Sequence, residues 1–228
     1  MKLLGLIGGT SWHSTTAYYS LINQGVGKIL GEVINPELLI HSIDISVMRS
    51  EDASRIRAKY LEVAKGLEAH GAKGIIICAN TPHLVYDFVQ PQLNIPILHI
   101  AEATGREAVK RGMTKLGLLG NRPTMTGDFI SGYLSKNFEI ETIIPEAHCI
   151  SQAHNYVSDE LTQGKFTDAA QSFFLNQIEL LKSRGAQGII LGCTELPLLI
   201  KQDTVDLPVL ATTDLHAQMA IDFILESE

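Results

Sequence analysis

The residues with the clearest chemical potential follow a short apolar run near the end of the chain. The run Gly188-Ile189-Ile190-Leu191 is typical of a buried strand, and Gly192-Cys193-Thr194-Glu195 comes where that strand should end. In open α/β sheets, ligands collect at the carboxyl ends of the strands. Cys193 is therefore a candidate acid–base group or nucleophile. On this stretch alone, a small buried cysteine with no chemical role is an equal alternative.

Composition excludes several classes of protein. The 228 residues are 45% hydrophobic and 19% charged, which is typical of a soluble globular chain. A net charge of -7 without a Lys/Arg run argues against a nucleic-acid surface, and no apolar stretch is long enough to span a membrane. Glycines interrupt residues 1–9, so we expect no signal peptide. Cys78, Cys149 and Cys193 are too few and too widely spaced for a disulfide framework or a metal ribbon, and we expect a cytoplasmic protein.

The elements that position Cys193 are predicted to be parallel βαβ units. Apolar runs at residues 3–7, 38–40, 74–77 and 95–100 predict strands, and helical spacing predicts helices over 17–30 and 55–69. Strands that alternate with helices of this length indicate a parallel sheet flanked by helices. The hydroxyls of Ser14-Thr15-Thr16 are predicted to cap the first helix. A final helix is predicted over 214–227.

The order of elements then repeats within the chain. Leu116-Gly117-Leu118-Leu119-Gly120 resembles Leu4-Gly5-Leu6-Ile7-Gly8, 112 positions earlier. Residues 185–190 resemble 71–76 at an offset of 114, and 207–210 resemble 95–98 at 112. Three matches in the same order at nearly one offset predict two similar α/β lobes. We place residues 1–100 plus 210–228 in lobe 1 and residues 101–209 in lobe 2, with the active site in the cleft between them.

The duplication also pairs two strand-end loops. At an offset of 114, Cys193 corresponds to Ala79, and the loop Cys78-Ala79-Asn80-Thr81-Pro82-His83 corresponds to the loop that contains Cys193. Two equivalent loops around one small ligand would offer access to both of its faces. Such access suits stereochemical inversion at a carbon, in which one group removes a proton and another returns one.

These motifs resemble the aspartate/glutamate racemase family, which uses no pyridoxal cofactor. The resemblance covers essentially the whole chain, and its carriers are Gly8-Gly9-Thr10-Ser11-Trp12, Asn80-Thr81-Pro82-His83 and Gly192-Cys193-Thr194-Glu195. It implies two flavodoxin-like lobes, each with a mostly parallel sheet. It further implies two cysteines, one per lobe, that act as acid and base on the α-carbon of a dicarboxylic amino acid. Cys193 matches the cysteine of the second lobe.

The chain departs from that pattern at Ala79, which stands where the first-lobe cysteine is expected and cannot transfer a proton. Some similar family members carry threonine there and resemble racemases selective for one enantiomer. The second acid or base is left open between Cys78, His83, Thr81 and water. Cys78 is expected to be buried behind the sheet, because a shift of one residue turns a side chain to the other face. His83 could act through a water, or it could cap or orient the loop.

Further residues are predicted to bind substrate. The resemblance and the strand-end positions favour Thr10, Ser11, Asn80, Thr81, Thr124 and Thr194 as hydrogen-bond donors, together with backbone N–H groups at helix starts. Glu195 is predicted to bind the substrate ammonium or to support its loop. A helix start after Cys193 is predicted to lower the pKa of that thiol. Arg49, Arg122 and Lys165 are candidates for binding the side-chain carboxylate. The histidines lack metal-ligand spacing, and we expect neither a metal nor a cofactor.

The sequence therefore predicts a cofactor-independent racemase of a small acidic amino acid, aspartate and/or glutamate. Family habit adds the expectation of a homodimer. Two alternatives remain at this stage. One is a catalytically silent protein that binds amino acids or dicarboxylates. The other is a related decarboxylase or maleate-type isomerase with one cysteine.

Overall fold

The computed structural model describes residues 1–226 and divides into two compact units. Unit 1 comprises Met1–Ile100 and the chain from His216 onward, and unit 2 comprises Ala101–Leu215. The chain thus returns to unit 1 at His216, whereas the sequence prediction placed this return at 210. The six intervening residues begin with the last two residues of a strand, Val209–Ala211, that pairs within the sheet of unit 2. Residues 227 and 228, also assigned to lobe 1, lie outside the described residues.

Each unit holds one four-stranded parallel sheet. Unit 1 has the order β2-β1-β3-β4, and unit 2 has β6-β5-β7-β8. The strands are β1 Leu4–Gly8, β2 Leu38–Ser42, β3 Gly74–Ile77, β4 Ile97–Leu98, β5 Lys115–Gly120, β6 Glu141–Ile143, β7 Gly188–Gly192 and β8 Val209–Ala211. All pairings within the two sheets are parallel. The prediction of a two-lobe α/β fold with parallel sheets is confirmed.

The strand registers reproduce the internal duplication. Leu4 pairs with Gly74 in unit 1, and Leu116 pairs with Gly188 in unit 2. Ile75 then pairs with Ile97, as Ile189 pairs with Val209. These partners differ by the same offsets of 112 and 114 that relate the sequences. The repeated sequence stretches therefore occupy equivalent places in two sheets of the same topology.

Helices cover the sheets and alternate with the strands. Their bounds are α1 Trp12–Leu30, α2 Ser46–Arg49, α3 Ala53–Ala69, α4 Tyr86–Val89, α5 Ile100–Lys110, α6 Arg122–Thr126, α7 Asp128–Phe138, α8 Ala147–Asn155, α9 Asp168–Ser183, α10 Leu196–Leu199 and α11 Thr212–Leu225. Short 3₁₀ turns lie at Thr81–Val85, Gln90–Gln92, Leu161–Gln163 and Gln202–Thr204, and a π-helical turn lies at Tyr156–Glu160. No helix within residues 1–226 is both long and apolar enough to cross a bilayer.

The first helix begins five residues earlier than predicted. Its N-cap is Ser11, whose side chain accepts a hydrogen bond from the Ser14 backbone N–H. The predicted cap over Ser14-Thr15-Thr16 is therefore wrong, because these residues already lie inside the helix. Ser11 can cap because its backbone is extended, whereas a residue within the helix cannot accept from the N–H two or three positions later. An earlier start places Trp12 and Ser14 directly after the loop that ends β1.

Both faces of the central strands are buried, which explains their continuous apolar sequences. In β1 and β3, neighbouring residues alternate between two cores. Ile7 and Ile77 pack on one side, with helix α3, and Leu6 and Cys78 pack on the other, with helices α1 and α11. Unit 2 has an equivalent pair of cores on the two sides of β5 and β7. This packing fixes the strand ends from which the loops of interest emerge.

Candidate active site

The strand order creates a topological switch point in each sheet. In unit 1 the chain leaves β1 toward β2 on one side, whereas β3 lies on the other side of β1. The carboxyl ends of β1 and β3 therefore flank the point where ligands bind in open parallel sheets. In unit 2, β5 and β7 occupy the equivalent positions. The residues that follow these four strands are the ones to which the sequence assigned chemistry.

Close packing joins the two strand ends of unit 2. A Cβ atom added to Gly192 would lie 2.7 Å from Cγ2 of Thr124 and 3.0 Å from the Leu119 carbonyl oxygen. Gly192 thus has no room for a side chain, because the start of helix α6 packs directly on the end of β7. This approach brings Thr124 next to the strand end that carries Cys193. The sequence prediction that both residues belong to one site fits this placement.

The Cys193 thiol donates a hydrogen bond to a carboxylate. Its Sγ lies 2.8 Å from Oε2 of Glu195, and Oγ1 of Thr194 donates to the same oxygen at 3.1 Å. Glu195 is only 8% exposed, while Cys193 and Thr194 are half-buried. The structure therefore brings these three predicted residues into direct contact. A thiol beside a carboxylate can pass its proton within the pair.

The predicted direction of the Cys193 pKa is wrong. Burial first, and then the Glu195 carboxylate, raise the pKa of Cys193 well above the ordinary value of a thiol. The backbone N–H groups of Glu195 and Leu196 act in the opposite direction but are outweighed. Helix α10 contains only four residues, so little helix dipole is available to stabilise a thiolate. Cys193 consequently rests as a thiol that donates a hydrogen bond to Glu195.

Thr124 contributes a buried hydroxyl with capacity to bind a ligand. The side chain of Asn121 caps helix α6 by accepting from the Thr124 backbone N–H at 2.9 Å. Thr124 itself is fully buried, and its Oγ1 has no hydrogen-bond partner among residues 1–226. An unsatisfied buried hydroxyl costs free energy unless a ligand or water pairs with it. The Thr124 hydroxyl is therefore free to pair with a ligand or a water.

The corresponding loop of unit 1 has no acid–base group at its strand end. Ala79 is half-buried, whereas Cys78 is 1% exposed and packs in the core between the sheet and helices α1 and α11. Burial raises the pKa of the Cys78 thiol far above its usual range. The prediction that Cys78 is a buried thiol behind the sheet is confirmed. Its carbonyl oxygen accepts a hydrogen bond of 2.6 Å from Ser14, which ties helix α1 to the end of β3.

The next residues of this loop are held by His83. Its Nδ1 lies 3.0 Å from the Ala79 carbonyl oxygen and 3.1 Å from that of Asn80. Burial lowers the pKa of His83 to about 4, and its side chain is 1% exposed. Of the two roles considered for His83, this geometry matches loop orientation. The Asn80 side chain is also buried, and within the described chain its Oδ1 has no partner.

The loop after β1 carries two more of the predicted substrate-binding residues, Thr10 and Ser11. Gly9 has φ of +92°, and an added Cβ would collide with the backbone of Ile43. The tight turn presents Thr10, whose Oγ1 is 2.8 Å from the hydroxyl of Tyr60. Ser11 is occupied as the cap of helix α1. Both hydroxyls thus have a protein partner and can make only part of their hydrogen bonds to a ligand.

The three cationic candidates are all exposed. Arg49 ends helix α2, and Lys165 follows the turn after the π-helical segment. The guanidinium of Arg122 donates to Oγ of Ser151 at 3.0 Å. No described cluster of three or more His, Cys, Asp or Glu side chains could hold a metal ion. None of the candidates is fixed by burial as a carboxylate anchor.

Two threonines at the end of β8 were missed by the sequence analysis. Thr212 is fully buried and donates to the Leu191 carbonyl oxygen at 3.0 Å, which ties β8 to β7 just before Cys193. Thr213 is 4% exposed, and its Oγ1 finds no partner in residues 1–226. The signal was available, since these residues follow a predicted strand beside the Cys193 strand.

Comparisons with known proteins give a consistent family. The sequence model of Asp/Glu/hydantoin racemases matches residues 7–220. A broad specificity amino-acid racemase, RacX of Bacillus subtilis (strain 168), is 24% identical over 228 residues, which cover 98% of each chain.

Solved structures agree over the full length. A proposed Asp/Glu racemase from Yersinia pestis has a TM-score of 0.94 at 36% identity, covering 99% of this chain and 100% of that one. An aspartate racemase homologue from Pyrococcus horikoshii OT3 has a TM-score of 0.88 at 34% identity, with the same coverage. The two parallel sheets, their switch points and the full-length matches lead to one conclusion: the chain belongs to the Asp/Glu/hydantoin racemase family of isomerases.

Proposed function

We propose that the chain is a cofactor-independent racemase of a small acidic amino acid, aspartate and/or glutamate, with Cys193 as its acid–base residue and Ala79 in place of the first-lobe cysteine. The observation that carries this proposal is the hydrogen bond of 2.8 Å from the Cys193 thiol to Glu195. This hydrogen bond lies at the carboxyl end of β7, near the buried Thr124 hydroxyl, which has no partner in the described structure.

The pair of Cys193 and Glu195 can supply the proton transfer. Glu195 takes the thiol proton, the resulting thiolate removes the α-proton of the substrate, and a carbanion forms on the α-carbon. Reversal of these steps returns a proton to that carbon. Because burial and Glu195 raise the pKa of Cys193, the thiolate is a strong base once formed. Backbone N–H groups and the hydroxyls of Thr124 and Thr194 are proposed to stabilise the negative charge.

Inversion requires a second proton source. Cys78 is enclosed in the core, and His83 is 1% exposed with its ring packed against His99 and His216, so we do not assign either side chain this role. A water held by the polar groups of Asn80 and Thr81 is the proposed donor. Asn80 supports this role with a buried oxygen that has no partner in the described structure. Water is a poorer acid than a thiol, so inversion is expected to be slower than α-proton exchange.

A second candidate function is racemisation of amino acids without an acidic side chain. Two observations favour it. The relative matched over 98% of this chain is a broad specificity amino-acid racemase, and the candidate cations Arg49, Arg122 and Lys165 are all exposed. A fixed carboxylate anchor would normally be a cation held by neighbouring groups. The homodimer and the cytoplasmic location stay predictions of the sequence.

The proposal is tested by proton NMR in deuterated buffer. Both enantiomers of aspartate, glutamate, alanine and lysine are incubated with the wild type, with Cys193→Ala and with Cys149→Ala, whose cysteine is a buried control in the same unit. We expect loss of the α-proton signal for aspartate or glutamate with the wild type and Cys149→Ala only. Chiral chromatography then measures the opposite enantiomer.

The other outcomes are distinct. Exchange of alanine or lysine, without exchange of the acidic amino acids, would replace the first candidate by the second. Exchange that survives in Cys193→Ala would remove Cys193 from the mechanism. Saturable thermal stabilisation by an amino acid without any exchange would favour a silent binding protein. Turnover of a dicarboxylate without an amino group would favour the related decarboxylase or isomerase.

A further inference from the structure

Three histidines lie together in the interior of unit 1. His83, His99 and His216 are 1%, 3% and 0% exposed. The ring centroid of His83 is 4.8 Å from that of His99 and 5.4 Å from that of His216. No spacing in the sequence groups them, because they come from the turn after β3, the residue after β4 and helix α11. Tyr18 and Tyr86 complete the cluster, with ring centroids 5.6 Å from His216 and 4.5 Å from His99.

Hydrogen bonds fix the proton positions on two of the rings. Nδ1 of His83 faces two carbonyl oxygens, which only accept, so this nitrogen carries the hydrogen. Nε2 of His216 donates to the Leu98 carbonyl oxygen at 2.7 Å for the same reason. Nδ1 of His216 is then an acceptor for the hydroxyl of Tyr18 at 2.9 Å. Within residues 1–226, Nε2 of His83 has no partner with hydrogen-bond geometry.

The cluster is uncharged near neutral pH. Burial lowers the pKa of all three histidines, and outweighs the carbonyl oxygens near His83 and His216 that favour their charged forms. The titratable neighbours are the histidines themselves and the two tyrosines. His83 lowers the pKa of His99 and of His216, and His216 lowers that of His99. A first proton entering the cluster would therefore charge a buried site whose contacts are set for neutral rings.

We propose that His83 and His216 are positioning residues for the candidate site: the buried histidine cluster holds the turn at Ala79 and Asn80 in the conformation that presents Asn80 and Thr81. This inference rests on the proposed function for its catalytic consequence. The positioning itself follows from the two hydrogen bonds of His83 to the turn. His216 and Tyr18 support the cluster from helices α11 and α1. The hydrogen bonds of His216 link it to Leu98, 118 positions away in the sequence, and to Tyr18, 198 positions away.

The test measures the turn directly. Hydrogen–deuterium exchange is followed for peptides covering residues 78–85 in the wild type, His83→Leu, His83→Asn and Tyr18→Phe. Asparagine retains a donor near the position of Nδ1, whereas leucine does not. His70→Leu is the matched control, because His70 is exposed and its Nδ1 also contacts a backbone carbonyl oxygen. Peptides covering residues 188–195 serve as the internal reference in unit 2.

We expect His83→Leu to lower the protection of residues 78–85 by about tenfold or more, with residues 188–195 unchanged. His83→Asn should restore most of that protection, and His70→Leu should leave it unaltered. Tyr18→Phe should produce a smaller loss. In the wild type, protection corrected for the intrinsic exchange rate at each pH should fall as the pH drops toward about 4, where His83 acquires its proton.

Activity provides the second readout. If the proposed function holds, kcat/KM for α-proton exchange should fall in His83→Leu and recover in His83→Asn. In the wild type, kcat/KM should fall on the acid side at the pH where residues 78–85 lose their protection. Unchanged protection of residues 78–85 in both His83→Leu and Tyr18→Phe would overturn the inference. Because the exchange measurement needs no substrate, it decides this point even if no amino acid is racemised. If protection changes as expected but no variant, nor the wild type, shows activity, the result would count against the proposed function alone.

Discussion

In both units, the helix after the first strand places a hydroxyl beside the end of the third strand, but the two hydroxyls have different partners. In unit 1, Ser14 donates to the carbonyl oxygen at the end of β3, where Cys78 lies. In unit 2, the methyl group of Thr124 packs against Gly192 at the end of β7, and its hydroxyl stays unpaired in the described structure. Both residues stand three positions after an N-cap, Ser11 or Asn121.

This difference extends to the groups that can transfer a proton. The loop of unit 1 is stabilised by hydrogen bonds to its own backbone, through His83 and Ser14. The loop of unit 2 carries a thiol–carboxylate pair at its strand end. The same βαβ frame therefore supports one loop held by hydrogen bonds to its backbone and one loop that carries the proposed acid–base pair.

The largest effect is expected for Cys193→Ala. Removal of the thiol eliminates the only acid–base group of the proposed mechanism that touches substrate, so α-proton exchange should fall by about 10³-fold or more. Deuterium incorporation measured by NMR checks this value. Cys78→Ala, at the equivalent strand end, should fold less stably but keep a kcat within a few-fold of the wild type. A comparable loss in both variants would contradict the division between the loops.

A smaller loss is expected for Glu195→Gln, which removes the proton acceptor of Cys193. The exchange rate should fall by about 10- to 100-fold, as is typical for the loss of general acid–base assistance. Because the Glu195 carboxylate raises the pKa of Cys193, its removal should lower that pKa and move thiol alkylation to lower pH. Iodoacetamide labelling against pH measures the shift, with Cys193→Ser as the background. An upward shift would rule out Glu195 as a cause of the raised pKa.

Ala79→Cys sharpens the comparison by giving the loop of unit 1 its own thiol. Inversion should rise by about tenfold relative to exchange, because a thiol replaces water as the second proton donor. Ala79→Ser is the control of similar size with a far weaker acid. The ratio of chiral product to deuterium incorporation is the measurement. An unchanged ratio would mean that position 79 does not reach the substrate.

The smallest effects concern the hydroxyls of Ser14 and Thr124. Ser14→Ala leaves the Cys78 carbonyl oxygen without its 2.6 Å partner, and should lower the free energy of unfolding by about 1–3 kcal/mol. Thr124→Val removes a buried hydroxyl without a described partner, together with the cost of burying it, and should leave that free energy unchanged or raise it by up to about 1 kcal/mol. Urea unfolding compares the two. Thr124→Val should nevertheless raise KM if its hydroxyl binds substrate.

Much of the fold was predictable because its signals are local. The run at residues 74–77 was predicted as β3 with the same bounds, and three repeated stretches fall in equivalent registers. A buried parallel strand is a short apolar run between helices, so sequence alone can identify it. Strand β4 was overestimated, since only Ile97–Leu98 pairs while His99 turns into the histidine cluster.

The site was less predictable because its properties depend on distant packing. Cys193 and Glu195 were identified as neighbours, but the direction of the thiol pKa depends on burial and on the side-chain conformation that points Oε2 at Sγ. The histidine cluster could not be assembled from spacing, because Tyr18 and His216 lie almost at opposite ends of the chain. Such contacts are fixed by tertiary structure and leave no periodic pattern in the sequence.

The return of the chain to unit 1 at His216 has a consequence for synthesis on the ribosome. One core of unit 1 combines strands β1 and β3 with Ala217, Ala220, Ile221 and Ile224 of helix α11. Unit 2 is made from one continuous segment, so its core needs no residue from elsewhere in the chain. Unit 1, although translated first, cannot complete this core until helix α11 has left the exit tunnel. The N-terminal half of this chain is therefore expected to be the last to complete its fold.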